Sequence, residues 1–404
     1  MINIILVSLK VLITPMKITH RYLIEGLVFT SYVLFAMAWV GGTASMGSIM
    51  ASMHIDSLAS ASFISGAVTL AKIVGTFSAA YVAVKFGVKY AFFLAALLIA
   101  VGIVTPFASN YELLLISRFL MGLGGAFMIV YFNPIVMLWF APEERPVING
   151  LNAVAFNVGT AIILWGMSSI NALTGSWQNS LVLFSAASLV LAIVWLLVKF
   201  ESPNAASTLG VEPAIYGYLE GLKDKFNWAY AFTYSGLLSF YICLFTFYPQ
   251  AGISQSKWVI GFGIVGTIAG ILYSRKNPLR LPIIRWSGLI IVITVLGLSF
   301  STQPELQIVC AIVLGFFIFF LVTALVSIPH ELPKMTGQKI TVVFSLFWSI
   351  SYLVSTLVLW VFGKLVDLSD GSYFSSFVMI TILSGTVFVG SYFLPETGKP
   401  KELI

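Results

Sequence analysis

The sequence predicts an all-α polytopic membrane protein with twelve transmembrane helices in two six-helix repeat bundles. Three observations predict this fold: an apolar composition, twelve apolar segments of membrane-spanning length, and an internal repeat. Hydrophobic residues make up 59% of the 404 residues and charged residues only 9%, with a mean hydropathy of +1.01. A soluble domain carries about 25% charged residues. So few charges could not cover the surface of a soluble chain, which excludes a cytosolic enzyme.

Each of the twelve apolar segments is long enough to cross a membrane as a helix. A helix rises about 1.5 Å per residue and the hydrocarbon core is about 30 Å thick, so about 20 residues are needed. The segments are 23–48, 60–83, 90–108, 112–140, 147–170, 178–199, 228–249, 257–274, 284–301, 307–328, 340–363 and 373–394. An even number of spans places both termini on the same side of the membrane.

The distribution of lysine and arginine indicates which side that is. With the N terminus in the cytoplasm, the outer loops carry only Lys257 and Lys364, while Lys72 and Arg118 lie within spans and the remaining basic residues lie inside. Basic residues concentrate in the cytoplasmic loops of membrane proteins. We therefore expect an integral protein of the plasma (bacterial inner) membrane with both termini cytoplasmic.

The two halves of the chain repeat each other at their loops. Residues 142–150 and 329–337 both read P-x-E-x-P-x-x-x-G, and a Gly-Ser-aromatic turn precedes the sixth span at 175–177 and the twelfth at 371–373. This order of matches predicts an internal duplication with six spans per half. The predicted units are an N-terminal cytoplasmic segment (1–22), an N-terminal six-helix bundle (23–199), a cytoplasmic linker (200–227), a C-terminal six-helix bundle (228–394) and a cytoplasmic tail (395–404).

The chain resembles the major facilitator superfamily over nearly its whole length. The fourth span reads RFLMGLGG from Arg118, an arginine followed by glycines, and residues 394–398 read LPETG. Residues 80–89 (AYVAVKFGVK) are similar to the family's basic G-x-x-x-D-R-x-G-R-R motif, with Val84 at the acidic position. The resemblance implies two bundles that rock between inward-facing and outward-facing states around a midplane site.

Two cations lie inside predicted spans. Lys72 is in the middle of the second span and Arg118 is about two turns inside the fourth. A charge at the bilayer centre costs roughly 2.5–3.5 kcal/mol, so it normally faces a cavity or a partner. We predict that Lys72 and Arg118 bind an anionic substrate. The alternative is that each snorkels to the interface or pairs with helix carbonyls.

The fifth span carries amide side chains on a glycine-containing stretch. Asn152 and Asn157 lie within residues 150–159, which are similar to the Asn/Gly signature of nitrate/nitrite porters. That resemblance implies that small residues and amides line an anion path, so we predict Asn152 and Asn157 as substrate-binding residues. The alternative is hydrogen bonding between helices. Those porters also carry arginines in helices two and eight, where this chain has Lys72 and no charge, which argues against nitrate itself.

Acidic residues are scarce in the spans. Glu25, near the start of the first span, is the candidate for coupling to a proton, with a solvated interfacial glutamate as the alternative. Charged loop residues on the cytoplasmic side are predicted to form an inner gate. They are Lys85, Lys89, Glu144, Arg145, Arg275 and Glu331.

The predicted function is secondary active transport of a small, anionic solute. The alternatives are a proton-coupled exporter of drugs or metal-chelating metabolites and, in another class, a receptor or lipid-handling membrane protein. Cys243 and Cys310 lie inside apolar runs, and G-x-G-x-x-G at 261–266 follows no strand, so we expect helix packing there and no metal, cofactor, nucleic acid or enzymatic activity. We expect a monomer in the lipid bilayer, with a coupling proton or ion as a further partner. Some aromatic residues of the seventh and eleventh spans are expected to stack on an organic substrate.

Overall fold

The computed structural model describes residues 2–141, 144–199, 217–276, 279–335 and 337–398, with the side chains of 2–19, 146, 275, 337 and 338 left out. Most of the predicted linker, the end of the tail, and Pro142 and Glu143 of the first P-x-E-x-P loop therefore lie outside the described residues.

The described residues form helices joined by short loops. The helices are α1 (Ile2–Ala44), α2 (Met46–Met53), α3 (Leu58–Ala61), α4 (Phe63–Ala100), α5 (Tyr111–Trp139), α6 (Arg145–Thr174), α7 (Trp177–Leu197), α8 (Tyr218–Lys223), α9 (Lys225–Phe247), α10 (Lys257–Lys276), α11 (Leu281–Phe300), α12 (Pro304–Glu331), α13 (Gly337–Leu368), α14 (Phe374–Ser384) and α15 (Thr386–Gly390). Short 3-10 turns at Val101–Phe107 and Ser254–Ser256 extend α4 and precede α10.

These helices confirm the predicted fold class. Ten described segments are long and apolar enough to cross a membrane. One of them, Leu58–Phe107, is 50 residues long and holds two predicted spans, because Gly87 breaks α4 with φ 74° and ψ 155°. Only glycine adopts that conformation without strain. The shorter apolar segment Phe374–Gly390 corresponds to the twelfth predicted span.

Glycines of the fourth-span motif let α5 pack closely in the first half. Gly122 lies against the backbone of Val68, and Gly124 lies against the backbone of Ala95, so α5 contacts α4 on both sides of its break. Small residues allow such close approach between membrane helices, where dispersion contacts replace the hydrophobic effect as the driving force. The glycines therefore explain why α4 and α5 form the most extensive helix pair in this half.

The second half repeats this packing. Gly266 and Gly270 of α10 lie against the carbonyl oxygens of Phe316 and Phe320 on α12, so the glycine pattern in α10 serves helix packing, as predicted. The main partner of α1 is α6, and that of its counterpart α9 is α13. The turns before α7 and α14 also match, because Gly175 and Gly371 both adopt φ 85°.

The two halves meet across a pseudo-symmetric interface. The first part of α4 packs on α13, and α6 packs on α10. The hydroxyls of Thr69 and Thr356, one from each half, lie 2.6 Å apart in this interface. We call the membrane side where the linker joins the halves, near residues 199 and 217, the linker side, and the other the opposite side.

The packing of α10 on α12 can be tested with two alanine substitutions in one helix. A methyl group at Gly266 would collide with the Phe316 carbonyl, whereas nothing lies within 4 Å of one at Gly261. Both changes raise helix propensity by up to about 1 kcal/mol. We expect Gly266→Ala to destabilise the purified protein by about 1–3 kcal/mol relative to Gly261→Ala, measured by thermal unfolding in detergent. Equal unfolding temperatures would contradict this close packing.

Candidate functional site

A cavity of about 490 Å³ lies between the two halves. Small-molecule sites commonly enclose about 300–1,000 Å³. Aromatic side chains are its largest group of lining residues: Tyr32, Trp39, Phe132, Phe156, Tyr234, Tyr241, Phe245, Phe319, Trp348 and Tyr352. Its polar lining consists of Lys72, Asn133, Asn149, Asn152, Asn157 and His330.

The cavity opens toward the linker side. Asn133 and His330, which lie within two turns of the linker-side ends of α5 and α12, line it and are exposed. Lys72 and Trp39, at its inner end, are buried, with exposed fractions of 2% and 1%. The structure is therefore open on the linker side and closed at the inner end of the cavity.

One face of α6 supplies most of the amide groups. Asn149, Asn152 and Phe156 follow one another at three- and four-residue intervals, so they share the face that lines the cavity. Asn157 lies beside them and accepts a hydrogen bond of 2.7 Å from the Tyr241 hydroxyl of α9. Asn152 and Asn157 thus both line the cavity, and Asn157 also joins the two halves.

Lys72 lies at the inner end, held by aromatic groups. Its Nζ donates to the hydroxyl of Tyr352 at 3.2 Å and to that of Tyr32 at 3.5 Å. Rings surround the ammonium with centroids at 5.1–5.9 Å from Nζ: those of Tyr32, Phe35, Trp39, Phe156 and Tyr352. Such cation–π contacts stabilise a desolvated cation by about 2 kcal/mol or more. No ion pair to Lys72 is found among the described residues.

Arg118 is separate from the cavity. Its guanidinium donates to the carbonyl oxygens of Ile64, Ala38 and Trp39 at 2.8–2.9 Å, and Gly42 provides the space for it. Arg118 thus ties α5 to α1 and α4 within the first half. This is the carbonyl-pairing alternative, and in this structure Arg118 does not lie where it could bind a ligand of the cavity.

Glu25 is buried, with only 4% of its surface exposed, so it is not the solvated interfacial glutamate of the alternative prediction. Its carboxyl group interacts with the side chain of Asn152. Neither side chain makes a hydrogen bond of acceptable geometry, and the polar atoms of both are buried. Asn152 lines the cavity, so it connects the Glu25 carboxyl group to the cavity wall.

The two predicted gate glutamates form ion pairs within their own halves. Glu144 pairs with Arg21 at 2.8 Å, and Glu331 pairs with Arg280 at 2.6 Å. In this linker-side-open structure, these pairs hold loops to their own bundle and do not bridge the halves. A gating role in the closed state stays a prediction.

The predicted basic gate residues lie on the same side. Lys89 donates to the carbonyl oxygens of Leu196 and Val198, and Arg145 donates to those of Phe140 and Met137. Both side chains thereby cap the C-terminal ends of helices, where the last carbonyl groups lack intrahelical partners. Lys85 lies over the Phe86 ring at 5.4 Å, and the Arg275 side chain lies outside the described residues.

The opposite side is closed by the Asp367 carboxylate of α13. It accepts hydrogen bonds from the Ser57 hydroxyl and from the backbone N–H groups of Leu58 and Ala59 at 2.8–3.0 Å. These donors belong to the first half and Asp367 to the second. Hydrogen bonds to a charged group contribute about 1.5–3 kcal/mol each, so this contact is the strongest polar one described between the halves.

The sequence prediction missed several cavity residues. They are Tyr32, Trp39 and Phe156, which no local pattern distinguishes from other apolar residues of the first half, and His330, which belongs to no ligand motif. The expectation that some aromatic residues of the seventh and eleventh spans face the site is consistent with the cavity lining. Tyr234, Tyr241, Phe245, Trp348 and Tyr352 line it, whereas Phe240, Phe247, Tyr248 and Phe347 pack elsewhere.

Comparison with known proteins agrees with this geometry. A family model described as Major Facilitator Superfamily matches residues 28–357. An uncharacterized protein of Campylobacter jejuni is 30% identical over 277 residues, covering 64% of this chain and 84% of that protein. The hexuronate transporter of Bacillus subtilis is 27% identical over 206 residues, covering 42% of this chain and 48% of that protein. The inward-open structure of the xylose transporter XylE from E. coli superimposes with a TM-score of 0.73 at 15% identity, covering 94% of this chain and 97% of that one.

Two repeated bundles with a cavity between them, open on one side only, define a secondary transporter of a small solute. The chain belongs to the Major Facilitator Superfamily. It is therefore an integral membrane protein.

The Asp367 contact predicts how the conformational equilibrium can be shifted. Asp367→Asn removes the charge and turns one acceptor into a donor, so we expect at least a tenfold population shift toward a state open on the opposite side. Spin labels on cysteines at Asp56 and Asp370, which are exposed, would report a longer distance between the halves. Glu305→Gln, an exposed acid of the same side and half, is the matched control. An unchanged distance in Asp367→Asn would mean that this contact does not hold the halves closed.

Proposed function

We propose that the protein transports a small organic anion of the sugar-acid class across the bacterial inner membrane by alternating access. The observation that carries the proposal is the Lys72 ammonium at the inner end of a cavity walled by aromatic and amide groups. No Asp or Glu side chain lines the cavity as described. The proposal is compatible with a transporter fold and does not require an enzymatic reaction.

The charge of Lys72 favours an anion over a neutral or cationic solute. Its ammonium makes two hydrogen bonds, both to neutral hydroxyls. A carboxylate that entered the cavity would offer a charged acceptor, and a charge-assisted hydrogen bond contributes about 1.5–3 kcal/mol net. A cationic solute would meet like charge without compensation.

The remaining wall suits a hydroxylated ring. Phe156 and Trp348 offer flat apolar faces, and Asn149 and Asn152 offer amide donors and acceptors. Asn149, which is less buried than Asn152, offers its amide group to a ligand hydroxyl in the cavity. The Bacillus subtilis relative carries the name hexuronate transporter, and hexuronates combine a carboxylate with such a ring.

Coupling to protons is proposed to act through Glu25. An ionised carboxylate without a cation or hydrogen bond is costly inside a membrane protein, so a change in its protonation depends on access to water. Asn152 contacts Glu25 and also lines the cavity. The access of water to Glu25 would therefore change when a ligand fills the cavity or when the halves move.

The linker side is proposed to be cytoplasmic, with both termini on that side. The support is the concentration of basic residues in the linker-side loops. The structure is then inward-facing. The protein is proposed to act as a monomer, because the whole cavity is formed by one chain.

Export of drugs or metal-chelating metabolites is the second candidate. The aromatic wall favours it, since planar apolar molecules stack on such rings. The Lys72 ammonium disfavours it for cationic compounds. Binding measurements with an aromatic cation beside a sugar acid would separate the two candidates.

Removing the Lys72 charge is expected to weaken binding of a sugar acid. Lys72→Gln should lower the affinity for D-glucuronate or D-galacturonate about ten- to a hundredfold, equivalent to the loss of about 1.5–3 kcal/mol. Lys72→Arg should retain part of the affinity because the charge remains. Isothermal titration of the purified protein checks this, with D-glucose as the neutral ligand and Lys364→Gln, an exposed lysine, as the control. Wild-type affinity in a folded Lys72→Gln protein would refute an anion site at Lys72.

A glutamine at position 25 should separate exchange from proton-driven uptake. Glu25→Gln cannot carry the proton, so we expect proteoliposomes to lose proton-gradient-driven accumulation and to keep exchange of substrate across the membrane. Glu112→Gln, an exposed glutamate at the start of α5, should retain both activities. Normal accumulation by Glu25→Gln would exclude Glu25 as the coupling residue.

A further inference from the structure

A second cavity of about 680 Å³ lies at the linker-side end of the second half. It is formed by the start of α9, the loop between α12 and α13, the start of α13, and the chain that follows α15. It shares no lining residue with the central cavity. It is therefore a separate site, which solute transport as proposed above does not use.

The charge of this cavity favours an anion. Lys225 and Lys339 line it from two different helices. Among the described lining residues, the one carboxylate is that of Asp224, which accepts a hydrogen bond of 3.0 Å from the backbone N–H of Phe226 and so caps α9.

A third cation stands next to the rim. The guanidinium of Arg285 lies 4.4 Å from the centre of the Tyr392 ring, and Tyr392 lines the cavity. The Nε of Arg285 is buried and makes no hydrogen bond with the described residues. Cations from three different helices, Lys225, Lys339 and Arg285, thus lie at or next to this cavity.

The surroundings favour a lipid over a soluble anion. Tyr392 and Phe393 line the cavity and are 59% and 70% exposed. Exposed aromatic side chains at the ends of membrane helices lie at the headgroup level of the bilayer. Ala229 and Val343 add apolar wall, so a molecule with both a phosphate and an acyl chain matches the site better than free phosphate does.

We propose that this cavity binds the headgroup of an anionic phospholipid, with its phosphate near Lys225 and Lys339 and an acyl chain along Phe393. Basic pockets between membrane helices are known to hold such headgroups. The bound lipid would connect α9 and α13, two of the three helices that carry the second-half wall of the transport cavity.

Lipid binding to the purified full chain in detergent tests the proposal. Phosphatidylglycerol should raise the unfolding temperature and be retained in native mass spectra, whereas phosphatidylcholine and inorganic phosphate should do neither. Each lysine near the membrane surface changes the affinity for an anionic lipid about fivefold. The double variant Lys225→Gln with Lys339→Gln should therefore weaken phosphatidylglycerol binding about thirtyfold. Either single change should weaken it about fivefold.

Two further variants make the result decisive. Lys225→Arg with Lys339→Arg keeps the charge and should keep lipid binding. Lys199→Gln with Lys276→Gln removes two exposed lysines of the same side away from the cavity and should leave lipid binding unchanged. Equal stabilisation by phosphatidylcholine, equal stabilisation by inorganic phosphate, or unchanged affinity in the glutamine pair would each overturn the proposal.

Discussion

The first half buries two cations, Lys72 and Arg118, and neither forms an ion pair with the described residues. Arg118 is satisfied by three backbone carbonyls, so its cost is met by the protein itself and it becomes a fixed joint between α1, α4 and α5. Among the residues that the structure describes, the partners of Lys72 are neutral hydroxyls and aromatic faces. An ammonium has three donors, and two are directed at tyrosines. Arg118, which is held by backbone carbonyls away from the cavity, therefore has a structural role, whereas Lys72, whose partners are neutral hydroxyls and which lines the cavity, is the proposed substrate-binding residue.

The internal repeat gives both halves the same close helix packing, so the halves can close against each other as units. Close packing through glycines makes each half stiff, as Gly124 does in the first half and Gly266 in the second. Two stiff bundles can then change their relative tilt without repacking their interiors. The polar contact of Asp367 with the first half holds the opposite side closed, so it must break when that side opens. The ion pairs of Glu144 and Glu331 stay within their bundles in this structure.

The amide face of α6 brings the proposed substrate and proton sites together. Asn152 contacts the buried Glu25 carboxyl group and also lines the cavity, while Asn157 hydrogen-bonds across to Tyr241 of the other half. One helix thus contacts the carboxyl group, the ligand space and the opposing bundle. Movement of α6 relative to α9 would alter all three contacts at once. Such shared contacts are the physical requirement for coupling between two sites.

The sequence by itself determined the spans, the repeat and the midspan position of Lys72, because membrane insertion depends on local hydropathy and duplication leaves matching loops. Asn152 and Asn157, which the sequence predicts as substrate-binding residues, both line the cavity, and their binding of a substrate stays a prediction. Only the tertiary structure decided that Arg118 faces carbonyls, that Glu25 is buried against Asn152, and that Glu331 pairs with Arg280. These outcomes depend on the rotation of each helix about its axis and on neighbours distant in sequence, which an apolar span does not encode locally.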